Sequence, residues 1–139
     1  MIKNQHISAT DNRTTTVEKP TAIKLIINNQ TFPAILNDSQ ATQTLVKKLP
    51  YTITVIQEIH DYCGVMDHLP YSKDDVQVGW FDGDLAFDIS GDWFAFFLRG
   101  ANNDVRYREV NLGQLVNKEE IARIAQLPAT VDITIERAK

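Results

Sequence analysis

At 139 residues the chain has the length of one domain, and 43% apolar with 23% charged residues is the balance of a sequence that folds around a single core. A formal charge of −4, from 14 basic and 18 acidic side chains, supplies no cluster of Lys and Arg to grip nucleic acid or an anionic bilayer, so neither is expected as a partner. The single cysteine, Cys63, excludes an internal disulfide framework and a Cys-rich zinc site, and no apolar run reaches the roughly 18 residues that cross a membrane.

Residues 1 to 20 carry only Met1, Ile2, Ile7, Ala9 and Val17 as apolar side chains, without periodicity, around a Thr-, Asn- and Asp-rich middle. That is the composition of a disordered arm. It lacks the apolar stretch of a secretory signal, and a cytoplasmic protein is expected on that ground. One domain then occupies residues 21 to 139. AIKLIIN (22–28) is β-branched and ends at Asn28-Asn29, which tolerate positive φ, and TFPAIL resumes at Thr31. This predicts a hairpin, with Pro33 placing its second strand at an edge or a bulge. Asp38 or Ser39 can cap a helix over residues 38 to 49, with Ala41, Leu45, Val46 and Leu49 on one stripe and Pro50 as its stop.

YTITVIQE (51–58) alternates as a strand, whereas residues 59 to 75 hold Gly64 and Pro70 without sustained periodicity and read as a long irregular segment. Strand-like runs follow at 76–81, 85–89 and 93–98, separated by the turn pairs Asp82-Gly83 and Ser90-Gly91. A polar loop leads to one or two strands within Val105 to Val116. Asn117 then heads NKEEIARIAQL, with Glu120 completing a capping box for a helix over 117 to 127. The last segment, from Ala129 to Arg137, alternates Val131, Ile133 and Ile135 inward. About eight strands and two short helices predict a mainly β fold, a closed antiparallel barrel or a sandwich capped by helices.

Four groups of side chains invite chemistry. Glu58 and the aspartates from Asp61 to Asp92 form an acidic stretch, but their spacing suits turns and a solvated face better than a calcium loop. His60, Asp61, Cys63, Asp67 and His68 share one segment, where a histidine-activated thiolate or a metal set is conceivable; HDYCGVMDH has the spacing of neither, and a buried cysteine with solvated histidines is the plainer expectation. Arg99, Arg106 and Arg108 flank a loop with Tyr107, placed either to fork onto an anion or to pair with nearby aspartates. Along Trp93 to Phe97, alternation sets Phe94 and Phe96 on one face and Trp93, Ala95 and Phe97 on the other, so one set faces outward or into a groove.

The segments VQVGWFDGDLAFDISGDWFAFFLRG (76–100), VNLGQL (110–115), NKEEIARIAQL and ATVDITIER resemble the bacterial cyclophilin-like proteins, a family related in fold to the prolyl isomerases called cyclophilins. GDL at 83–85, the Phe96-Phe97 pair and NLGQL at 111–115 carry most of the likeness, which extends over residues 22 to 137. The resemblance implies a closed eight-stranded antiparallel barrel with a helix at each end. Cyclophilins use an arginine in an FHR pattern, an apolar floor that includes the second phenylalanine of QFF, and a later tryptophan and histidine. Here DYCGVMDHLPY has no arginine, only Phe97 matches the floor, and no tryptophan or histidine follows Trp93. The resemblance therefore implies a binding module without catalytic residues, cofactor or metal. Its groove would be floored by Phe97 and edged by Tyr62, Met66, Arg99 and Arg106, for a peptide or a small anionic ligand. The competing expectation is an enzyme: a prolyl isomerase, or a hydrolase centred on Cys63 with His60 or His68.

Overall fold

A computed structural model describes residues 2–3, 16–17 and 19–139. Within the arm expected over residues 1 to 20, β1 (Ile2–Lys3) and β2 (Thr16–Val17) pair antiparallel; most of the remaining arm lies outside the described residues. The hairpin forms as β3 (Thr21–Ile27) and β4 (Gln30–Leu36), turned by Asn28 and Asn29 at φ of 52° and 64°. Two successive left-handed residues match the right-handed twist of the flanking strands. Both strands alternate, burying Ile23, Leu25 and Ile27 beside Phe32, Ala34 and Leu36. Helix α1 (Gln40–Val46) begins where the Ser39 hydroxyl accepts the Thr42 N–H, and it buries Ala41, Thr42 and Leu45.

The remaining elements are β5 (Tyr51–Gln57), β6 (Asp61–Val65), β7 (Val76–Val78), β8 (Asp84–Asp88), β9 (Trp93–Phe97), β10 (Arg108–Leu115), α2 (Ile121–Ile124) and β11 (Thr130–Arg137). Six of these strands join β3 and β4 in one antiparallel cycle, β4-β3-β11-β5-β6-β9-β8-β10, and β10 pairs back to β4 through Gly113–Leu115 against Leu36–Ala34. The barrel is closed, as the resemblance implied and as one of the two architectures that the alternation left open. β7 is a ninth strand that pairs with Arg108–Val110, the part of β10 that β4 does not reach.

The membership of the barrel differs from the sequence expectation in one strand. The run at 76–81 contributes only the short β7, and the place reserved for it is filled by β6, from the segment read as irregular. β6 is five residues long and has Gly64 as its fourth, which reads as a breaker. In the fold Gly64 permits close approach: a Cβ there would lie 2.0 Å from the Thr54 carbonyl oxygen on β5. The second helix is also shorter than expected. A 3-10 turn at Lys118–Glu120 leads into the four residues of α2, and Asn117 makes no side-chain cap. Glu120 instead accepts from Arg123 Nε at 2.8 Å, so the capping box does not form.

Inside the barrel, Phe32, Phe87, Phe94, Phe96 and Tyr62 pack with the aliphatic residues of β3, β5, β10 and β11, and α1 and α2 add Leu45 and Ile124. β10 shifts register between Asn111 and Gly113. The backbone freed by this bulge is taken up by Asn37, whose N–H donates to Leu112 O at 2.8 Å and whose Nδ2 donates to Asn111 O at 2.7 Å. Thr42 of α1 donates to Asn37 Oδ1 at 2.6 Å, completing a buried polar tie from helix to strand. Among the described residues, no helix is long and apolar enough to cross a membrane.

Candidate functional site

Side chains that alternate inward on one residue must face out on the next, and on β5, β6, β8, β9 and β10 the outward set is unusual. The cross-strand row Cys63, Ala95, Ala86 is made of small side chains. A flanking row reads Val65, Trp93, Asp88, Glu109, and on the other side Asp61 stands opposite Phe97. Small residues between bulky or charged rows leave a hollow on the outer wall of the barrel. Trp80, reaching in from the segment after β7, closes one side of it. Its ring stacks on Phe97 with centroids 4.5 Å apart and planes within 9°, and it meets Tyr107 edge-on at 5.0 Å and His60 at 4.9 Å. A backbone bridge to Asn102 and donation from Nε1 to Arg99 O at 3.3 Å hold the indole there. The hollow is a cleft of about 490 Å³, with Ile56, Ile59 and Trp93 on its open side.

Its electrostatics are one-sided. Glu58, Asp61, Asp88 and Glu109 all line the cleft. Glu109 is only 5% exposed, and its Oε1 has no hydrogen-bond partner among the described residues. Burial, and then the fields of Asp88, Asp84 and Asp61, push its carboxyl up to about 9, so it is protonated at neutral pH. Asp61 is raised to about 6 by burial and by Glu58 and Asp88, with Arg99 and the Cys63 thiol opposing the shift. The same burial, followed by the field of Asp61, pushes the Cys63 thiol up to about 11. Cys63 is therefore held as a thiol, and the thiolate that a nucleophilic role requires is disfavoured here. Nδ1 of the His60 ring is buried without a hydrogen-bond partner among the described residues. His68 belongs elsewhere, 2.8 Å from Asp92 on the surface. Among the described residues, no group of three or more His, Cys, Asp or Glu side chains is arranged to hold a metal ion.

A pH dependence of stability follows. A carboxyl whose folded pKa is raised contributes most to stability below its unfolded value, and that contribution is lost as pH rises through the folded one. Glu109 acts in this sense from its ordinary value of 4.5 to about 9, and Asp61 from 3.8 to about 6. The melting temperature is expected to fall by roughly 5 to 10 °C between pH 5 and pH 8, and Glu109→Gln, which keeps the shape and removes the charge, should flatten most of that slope. Melts followed by circular dichroism at both pH values check this. A profile equally steep in the variant would exclude Glu109 as its source.

The five residues expected to form the groove are dispersed by the fold. Phe97 lines the cleft, outward on β9, although Trp80 leaves it only 5% exposed. Tyr62 and Met66 do not edge it, which corrects the sequence expectation. Tyr62 points into the barrel, donating its hydroxyl to Pro128 O at 2.7 Å, and Met66 packs in the same core. Both are one residue out of phase with the outward positions Asp61, Cys63 and Val65, because the expected edge was placed without knowing that β6 is a strand. Arg99 does not line the cleft and is committed to the β5–β6 turn, donating to Ile59 O at 2.8 Å and to Gln57 Oε1 at 2.7 Å. Arg106 grips Asp104 through Nε and Nη2, with Nη2 2.6 Å from Oδ2, on the exposed loop before β10. Arg106 thus pairs with an aspartate, the second of the two arrangements open in the sequence, whereas Arg99 is held by backbone carbonyls and the Gln57 amide. Glu109 was not singled out in the sequence, and Asp61, Asp88 and Trp93 appeared there only in separate groups; the alternating register of β8, β9 and β10 was the signal that joins Asp88, Trp93 and Glu109.

The cyclophilin-like family model matches residues 25–136. No curated protein is similar enough to the chain to match it.

Proposed function

The chain belongs to the cyclophilin-like family, and from that premise we propose that it is a binding module whose outer-wall cleft takes a ligand with an apolar, preferably aromatic, body and one cationic nitrogen. The observation that carries this reading is Glu109: a carboxyl almost fully buried at the wall of an aromatic cleft, with one oxygen lacking a donor. Buried polar groups are ordinarily satisfied, and an orphaned one at a cavity wall marks where a ligand's donor belongs. The other charges facing the cleft are also acidic, so an incoming cation is attracted by all of them and a carboxylate is repelled. Trp93 and Tyr107, the exposed aromatic rings of the cleft, favour a cation over their faces and a flat apolar body against them. The sign of the expected ligand charge is thereby reversed, since Arg99 and Arg106 are engaged with the protein itself. A cytoplasmic setting, in which the free Cys63 thiol stays reduced, belongs to the same proposal.

Thermal shift with three indoles tests it: tryptamine, its N,N,N-trimethyl counterpart and indole-3-acetate. A cation at 100 times its dissociation constant should stabilise the fold by about 2.7 kcal/mol, or roughly 10 °C, and Trp93→Ala should weaken the effect. Indole-3-acetate should give no shift. If only the acetate stabilises, and Arg99→Ala abolishes its effect, the anionic ligand is correct and the present reading is not. A short lysine-containing peptide run alongside separates a peptide module from a small-molecule one.

A further inference from the structure

Glu109 stands on β10 opposite Asp88 of β8, with Gln77 of β7 on its other side. The titratable groups facing it are Asp88 and Asp84 from β8 and Asp61 from β6, with the Cys63 thiol beside Asp61. Across the cleft stand His60 and Glu58 at the β5–β6 turn. The nearby cation, Arg99, bears on Asp61 while its own N–H groups are spent on the carbonyls and amide of that turn. No cation from the other elements is directed at the Glu109 carboxyl among the described interactions, and its Oε1 has no donor among the described residues.

We propose, on the reading that the cleft binds organic cations, that a ligand amine enters by exchange for the proton of Glu109, so that occupancy releases a proton and the cleft selects ammonium groups bearing N–H over fully alkylated ones. In the empty cleft the O–H bond of Glu109 is intact. When R–NH3+ arrives, one ammonium N–H donates to Oε1, the O–H bond breaks heterolytically, the electron pair stays on the carboxylate and the proton passes to solvent. Charge balances: a cation enters as a proton leaves. A quaternary ammonium keeps its contact with the rings but brings no donor, so Oε1 remains unsatisfied, which is costly in a buried place. The Glu109 proton is held up to about pH 9, which places the exchange across the neutral range. The cleft then fills as the pH rises and empties as it falls.

Isothermal titration of the full chain with tryptamine and its N,N,N-trimethyl counterpart, from pH 6 to 8.5 in two buffers of different ionisation enthalpy, tests this. At pH 7.5 tryptamine should release about one proton, its affinity should rise about tenfold from pH 7 to pH 8, and the quaternary compound should bind at least tenfold more weakly at pH 8. In Glu109→Gln, proton release should vanish at pH 7.5 and affinity become independent of pH between pH 7.5 and 8.5, above the range in which Asp61 titrates. Carboxyl carbon NMR of Glu109 in the unaltered protein gives the same answer without a variant, since addition of tryptamine should move the signal from its protonated to its ionised position at fixed pH. Binding without proton release, or equal binding of the two amines, overturns the exchange and leaves the cation-binding cleft standing. Absence of binding by either amine at every pH removes the cleft reading and the exchange together.

Discussion

Gly113→Ala is expected to destabilise the barrel by about 3 kcal/mol or more, because a single Cβ at this position meets backbone and not a side chain that can turn away. It would lie 2.0 Å from the Ile35 carbonyl oxygen and 2.9 Å from the Leu36 Cα. Gly113 opens the three-residue ladder from β10 to β4 that closes the cycle of strands, immediately after the bulge supported by Asn37. The methyl group forces the two strands apart at a ladder of only three residue pairs, and a parted seam leaves edge strands open to pairing with another chain. Urea unfolding measures the loss of stability, and light scattering the self-association. A variant within 0.5 kcal/mol of the unaltered protein by this measure would show that the seam relaxes freely.

The second large effect is expected from Phe96→Ala, at about 3 to 5 kcal/mol by lost burial and residual cavity. Phe96 is fully buried on β9, pairs with Leu85 and Tyr62 on the neighbouring strands, and shares the barrel interior with Phe87 and Phe94. Phe97→Ala provides a contrast with a neighbour of the same type. Its ring lies on the other side of the sheet in a small cluster with Trp80, Ala86 and Ala95. Its loss should disturb ligand binding and the seating of Trp80 more than it disturbs the barrel. Equilibrium unfolding of the two variants side by side checks the assignment of faces, and equal losses would contradict it.

What the sequence revealed and what it hid divide along physical lines. Strands that alternate over six or more residues, such as β3, β5 and β11, were legible because one buried face imposes a period of two. Antiparallel pairing was legible because turns such as Asn28-Asn29 allow only antiparallel neighbours, while closure through β10 and β4 was left open by the alternation and came from the resemblance. β6 was hidden by brevity and by Gly64, a residue used there for close approach to β5 and indistinguishable in sequence from a turn glycine. That one omission displaced the site: without β6, Tyr62 and Met66 looked like loop residues free to edge a groove, whereas strand register turns both into the core. Phe97, which the resemblance placed in the groove, lines the cleft because it faces outward on β9, the face that the alternation gave it with Trp93 and Ala95. The acidic character of the cleft was hidden because it is a register property. Asp88 and Glu109 are 21 positions apart in sequence, yet face each other across one ladder step, and a row of aspartates in turn-rich segments reads as a solvated surface.

The central claim is that the orphaned Glu109 carboxyl marks the seat of a ligand cation. A crystal structure with tryptamine bound at pH 8 tests it most directly. The account predicts the indole lodged against Trp80 and Trp93 above the Ala95 floor, with the ammonium nitrogen within about 3 Å of Glu109 Oε1. An amine seated elsewhere on the barrel, or one whose nitrogen faces solvent while Glu109 stays without a partner, would contradict it.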